Sequence, residues 1–271
     1  MRQVHIAGPW RMACLLVLGA LVLALVASEA NAEREMPITT CGQVVKTNAF
    51  LTHDLTCSGR AGVVVGAPGI TINLNGFALQ GDGSFGRYGV DDMHGFDGVT
   101  VENGVVRGFD YGLVGFGANN LVLEGLVDSG NASGGIFVVG SSAQIQSSRA
   151  SGNGGDGICA LGLSAAVQSS TASANDGNGI YLSGDFSRIL SSTASTNVAD
   201  GIVVVGNTAR LDHNRTEANG NIGSIHSAAR RLGILVVGNT TAPTGANIAD
   251  RNSDPAQCRP TSLCDPARGR S

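Results

Sequence analysis

The chain has 271 residues, 40 of them glycine, with few aromatic side chains and a formal net charge of −4 at pH 7. Its 17 basic and 21 acidic residues form no basic patch, which argues against nucleic acid as a partner. Glycine at about twice its ordinary frequency suits disorder or many tight turns, and the regular placing of Val, Ile and Leu favours the second, a repetitive β fold.

Residues 1–32 have the marks of an export signal. Arg2 and Arg11 make a basic start, Met12 to Ala27 is an unbroken apolar run, and Ala30-Asn31-Ala32 offers a small-x-small cleavage site. The run is shorter than the roughly 20 residues of a spanning helix, and no later segment is a better candidate. The mature chain is therefore expected to be secreted or periplasmic, without a transmembrane segment.

Residues 33–62 are expected to cap the open end of the following repeats. Five cysteines remain after export: Cys41, Cys57, Cys159, Cys258 and Cys264. In an oxidising compartment the local pairs Cys41 with Cys57 and Cys258 with Cys264 would pin the two ends, although four cysteines admit three connectivities. Cys159 is left over as a free thiol.

Residues 63–250 carry a repeat. Gly135, Gly157, Gly179 and Gly201 are 22 residues apart, each followed by Ile, and Gly140, Gly162, Gly184 and Gly206 keep the same step. Asn131, Asn153, Asn175, Asn197 and Asn219 keep it through five copies. Short alternating segments broken by Gly, Ser and Asn read as strands and turns, and no window makes an amphipathic helix. A unit this short cannot bury its own apolar side chains, but stacked units share one core. A step of 25 from Leu211 to Val236 implies a small insertion near Ser227 to Arg231. Residues 251–271, rich in Pro, Arg and Ser, read as a pinned tail.

The pattern Gly-Ile-x-hydrophobic, then Ile-x-x-Ser/Asn, then a turn Asn resembles the NosD-like, pectin-lyase-fold repeats. It is carried by Ile145-x-x-Ser148, Val167-x-x-Ser170, Ile189-x-x-Ser192, Leu211-x-x-Asn214 and Val236-x-x-Asn239. Ile70 to Gly76 and Val99 to Gly104 look like earlier coils of the same kind. The resemblance implies an all-β fold, a right-handed parallel β-helix with the residue after each repeat Gly pointing inward. It implies little about activity, because the fold hosts lyases, hydrolases, epimerases and non-enzymes. Copper delivery, which the NosD name suggests, would need clustered Met, His or Cys ligands; Met36, Met93 and four scattered His do not supply them.

With that phase, the outward positions of the Gly-Ile sheet are Val114, Phe116, Phe137, Val139, Cys159, Leu161, Tyr181, Ser183, Val203 and Val205. Nearly all are apolar or aromatic. The next sheet presents mostly polar residues, among them Glu124, Gln144, Gln146, Gln168, Arg188, Arg210 and Asp212. An apolar strip of this size marks a contact surface: for the chain's own tail, for a second copy, or for a ligand platform on which Phe116, Phe137 and Tyr181 bind a sugar. The Asn column reads as a structural ladder, and Arg188, Arg210, Asp212, His213, Arg215 and Glu217 as cross-coil ion pairs.

The densest polar constellation holds Arg87, Tyr88, Asp91, Asp92, His94, Asp97, Glu102, Arg107 and Asp110. Tyr88-Gly-Val-Asp91 with His94 resembles the Tyr-Gly-Phe-Asp-Pro-His motif of mannuronan epimerases, lacking the Pro and with His displaced by one. Asp91-Asp92 is similar to the paired Asp of polygalacturonases, whose Gly-His-Gly and Arg-x-Lys elements are missing. Adjacent strand residues face opposite ways, so this pair alone cannot flank one glycosidic bond. Uronate elimination or epimerisation needs a base and a neutraliser for the carboxylate. His94 or Tyr88 would be the base, with Arg87, Arg107 or an Asp-bound Ca²⁺ as neutraliser; otherwise no cofactor and no metal site is expected. The chain thus reads as an exported β-helix that binds or processes a polysaccharide or cell-envelope partner through one sheet face. The alternative is a non-catalytic, self-associating scaffold, with a homo-oligomer as its form.

Overall fold

The computed structural model describes residues 35–220, 231–241, 246–254 and 256–265. The leader expected over residues 1–32 and most of the insertion expected near Ser227 to Arg231 lie outside these. The described residues form a parallel β-helix with three faces. The first face is a ten-stranded sheet that includes Tyr88–Asp92, Tyr111–Phe116, Gly134–Val139, Ile158–Leu161, Ile180–Ser183, Ile202–Val205 and Ile234–Val237. The other two faces belong to one sixteen-stranded sheet, because Thr100–Arg107 and Val122–Ser129 run through both. These strands bend at Asn103 and Gly125, both of positive φ. The one helical element among the described residues is the short 3-10 turn Thr261–Leu263.

The coils stack in register because each row repeats its chemistry. Ile136, Ile158, Ile180, Ile202 and Ile234 lie over one another and all are buried, so the residue after each repeat Gly does point inward. Ile145, Val167, Ile189 and Leu211 form the core row of the second face. The third face contributes Ala150, Ala172 and Ala194. Small side chains there leave room for two buried ladders at its flanking turns.

In the first ladder, between the third face and the first, Asn153 donates both its backbone N–H (3.1 Å) and its Nδ2 (3.0 Å) to Oδ1 of Asn175. Asn131, Asn175, Asn197 and Asn219 repeat this double bond to the next coil. Gln257 ends the series by accepting from Asn252. The second ladder, between the second and third faces, runs through Ser148, Ser170, Ser192, Asn214 and Asn247. The Gly column beside the Asn ladder is a matter of space: a Cβ at Gly179 would lie 2.6 Å from both Asn197 Nδ2 and the Gly201 carbonyl. The column Gly162, Gly184 and Gly206 turns the chain off the first face at φ near +150°, where a Cβ would meet the previous glycine's carbonyl at 2.0–2.3 Å.

Both local disulfides are present, Cys41–Cys57 and Cys258–Cys264, with Cα separations of 5.5 and 6.2 Å. Within residues 33–62, expected as a cap, residues 36–56 hold four short strands paired into the same sheets. In the tail, Cys258–Arg259 adds a strand to the first face. One expectation is corrected. Val236 does not follow Leu211; it pairs with Val204 on the first face, and Asn247 takes the ladder place after Asn214. The step there is 33 residues between Asn214 and Asn247, which makes the insertion about half a coil. Period-two alternation looks the same on either sheet, so the Val236 pattern was compatible with both.

Candidate functional site

The first face builds its outer surface from two rows. Val64, Asp91, Val114, Phe137, Cys159, Tyr181, Val203 and Leu235 are successive partners in one. Phe116, Val139, Leu161, Ser183, Val205 and Val237 form the other. Exposure along the strip is uneven. Phe116 is 52% exposed and Val237 53%, Phe137, Cys159 and Tyr181 are half-buried, and Val114 and Val203 are buried. Val203 lies in register between the larger Tyr181 and Leu235, and Val114 lies beside Phe137.

An aromatic cluster crosses the strip. The Tyr88 and Tyr111 rings meet edge to face with centroids 6.3 Å apart, and the Tyr111 ring tilts against Phe137 at 5.6 Å. Tyr111 leans across Gly134, where a Cβ would sit 2.8 Å from the ring. Beside it, Tyr111, Ser133, Phe137, Asp156 and Cys159 line a cavity of about 130 Å³. The rim is held by carboxylates: Asp110 accepts from Gly86 N (2.7 Å) and from the Ser133 hydroxyl, and Asp156 accepts from Asn178 N (2.6 Å) and Nδ2 (3.1 Å). Tyr111 and Asp156 were not read as site residues from the sequence. The available signal was Tyr88-Gly89 recurring as Tyr111-Gly112.

Burial raises the pKa values of this cluster's phenol and thiol groups, making them weaker acids. Desolvation, and after it Asp110 and Asp91, push the Tyr88 phenol above its ordinary value. Tyr111 is raised by desolvation and then by Asp110. Both remain neutral hydroxyls at physiological pH, suited to donating hydrogen bonds rather than to removing protons. Desolvation and Asp156 push the Cys159 thiol up to about 12, which makes it a small apolar wall element and a poor nucleophile.

The expected acid–base set is only partly gathered. Tyr88 and Asp91 share one strand, and His94 follows in its exit turn, stacked on Phe96 at 6.2 Å. Arg107 stands on the third face, where Nε and Nη2 bond Gln80 Oε1 at 3.2 and 3.0 Å. Asp91 faces outward and Asp92 is 1% exposed. Asp91 Oδ1 accepts from Met93 N (3.1 Å) and Asp92 Oδ1 from Phe96 N (3.0 Å). Among the described residues no group of three or more His, Cys, Asp or Glu is placed to hold a metal. The arginine group on the other faces pairs largely along its strands: Arg210 with Asp212 (3.2 Å) and Arg215 with Glu217 (2.8 Å), with Arg251 to Glu217 (2.6 Å) crossing coils. Same-face neighbours on one strand are two residues apart, which favours such pairs over the expected cross-coil ones.

Comparison with known proteins agrees with this architecture. A family model described as right handed beta helix region matches residues 88–241. Solved structures similar to the chain include pectate lyase Pel9A, at 17% identity and TM-score 0.45 over 79% of this chain and 56% of that one. The A-module of the Azotobacter vinelandii mannuronan C-5 epimerase AlgE4 is 13% identical, with TM-score 0.40 over 79% of this chain and 84% of that one. The Dettilon tailspike protein is 11% identical, with TM-score 0.32 over 77% and 60%. The chain thus spans little more than half of the pectate lyase, and no curated protein matches it. With the family model covering more than half of its length, and the stacked Gly-Ile coils and buried ladders in place, the chain belongs to the right-handed β-helix family.

Proposed function

We propose that this protein is an exported β-helix that binds a polysaccharide along its first face, with Tyr111, Phe137 and Tyr181 as the platform. The observation that carries the reading is the Tyr88–Tyr111–Phe137 cluster beside a cavity rimmed by Ser133 and Asp156. Aromatic faces cover the apolar side of a sugar ring, while carboxylate and hydroxyl groups at the rim meet its hydroxyls. The row through Phe137 and Tyr181 runs along the helix axis with strands about 4.8 Å apart, a direction that suits an extended polymer. Two disulfides support an oxidising compartment. Binding is favoured over catalysis because Arg107 stands on a different face from Tyr88 and Asp91.

Affinity electrophoresis against a panel of neutral and uronate-containing polysaccharides tests the reading, with unsaturated products assayed in parallel. At least one polymer should retard the wild type, and Phe137→Ala or Tyr181→Ala should weaken that by about tenfold or more, the scale of about 1.4 kcal/mol. Asp91→Ala should leave it unchanged. Indifference of the wild type to the whole panel would end the proposal, as would equal binding by both aromatic variants.

A further inference from the structure

The second face carries a groove that the first-face reading does not use. It has a volume of about 320 Å³ and crosses three coils, lined by Ser142, Gln144, Ser164, Gln168, Arg188 and Leu190 around Ala166. Register creates it. Gln144, Ala166 and Arg188 are successive partners in one outward row, so a methyl group sits between two long polar side chains. Two strand spacings separate the flanking residues, about 10 Å, enough to seat one sugar ring.

The bonding of these groups sets the groove apart. Nearby, Gln146 donates to Glu124 at 3.0 Å and Arg210 pairs with Asp212 at 3.2 Å. The side chains of Gln144, Gln168, Arg188, Ser142 and Ser164 have no hydrogen-bond or ion-pair partner among the described residues. One guanidinium, two primary amides and two hydroxyls therefore border one space, and no acidic side chain lines it. A fork of guanidinium donors matches a carboxylate. Primary amides and hydroxyls both donate and accept, which matches vicinal sugar hydroxyls.

We infer that this groove is a second binding site, separate from the first face, that takes a carboxylate-bearing sugar unit. Arg188 meets the carboxylate, Gln144, Gln168 and the two serines meet the ring hydroxyls, and Leu190 packs against the ring's apolar side. The same chemistry is offered by a uronic-acid residue within an oligosaccharide and by a free sugar acid.

Titration calorimetry with a uronic-acid trisaccharide, its carboxyl-reduced counterpart and the free uronic acid decides the matter. The acidic trisaccharide should bind the wild type, and its neutral counterpart should bind at least tenfold more weakly. Arg188→Gln should lower affinity for the acidic ligand about tenfold. Ala166→Gln, which puts in the notch the residue its neighbour Gln144 already carries, should abolish binding without altering the β-sheet spectrum. Phe137→Ala should leave the titration unchanged, which separates this site from the first face. Equal affinity for the free acid supports the site with that acid as occupant. Undiminished binding by both groove variants, loss in Phe137→Ala alone, or no heat with any acidic ligand overturns it.

Discussion

Asp92 shows how one residue's surroundings set its chemistry. It alternates with Asp91 on a strand, so its carboxyl is carried inward, where Oδ1 caps the following turn and Oδ2 has no hydrogen-bond partner. Desolvation raises it to about 6, against the pull of the Phe96 and Gly95 amides. Between about pH 4 and 6 the folded protein therefore holds a proton that the unfolded chain has released, and stability falls as pH rises through that window. A displacement of this size corresponds to about 2–3 kcal/mol. Asp128, Asp156 and Asp200 are raised in the same direction by burial, so the slope is shared. Urea midpoints of Asp92→Asn should fall less steeply with pH than those of the wild type, and should lie above them at pH 7.5. Parallel curves would refute this account of Asp92.

Within one coil, the elements depend on the turn residues as much as on the strands. Asn175 accepts two bonds from Asn153 and donates to Asn197 and to the Ala150 carbonyl (3.3 Å). Asn175→Ala leaves the buried Asn153 backbone N–H without an acceptor, and an unmet buried donor costs about 1–3 kcal/mol. A loss of about 2–4 kcal/mol is expected, read from denaturant midpoints. Gly179→Ala should cost as much for a steric reason, since its new methyl needs the space of Asn197 Nδ2 and the Gly201 carbonyl. A near-neutral result for both would mean that the coils are held by their Ile rows alone.

Over the whole molecule, stability in a stacked array is close to a sum of coil and neighbour terms, so damage should stay local. The Cys41–Cys57 bond closes a separation of 16 residues in the first coils, worth about 3 kcal/mol in the chain-entropy picture. The double Cys41→Ser, Cys57→Ser variant should show faster hydrogen exchange over residues 36–65 with little change over 158–205. Uniform acceleration would instead indicate one cooperative unit. The coil length, the Asn ladder and the two disulfides were legible in the chain, because each is a local pattern repeated at a constant step or a short loop closed on itself; the inward Ile phase came only from the family resemblance, because both parities of those strands are apolar. The Val236 register was not, since alternation alone cannot tell which sheet a strand joins once an insertion breaks the step. The site divides in the same way. Rows such as Phe137–Cys159–Tyr181 and Gln144–Ala166–Arg188 follow from counting by 22, whereas the tilt of Tyr111 over Gly134 and the separation of Arg107 from Asp91 depend on how side chains share space across coils. A linear sequence determines what stands above what; only the packed structure decides which of those groups touch, which are shielded and where a space is left.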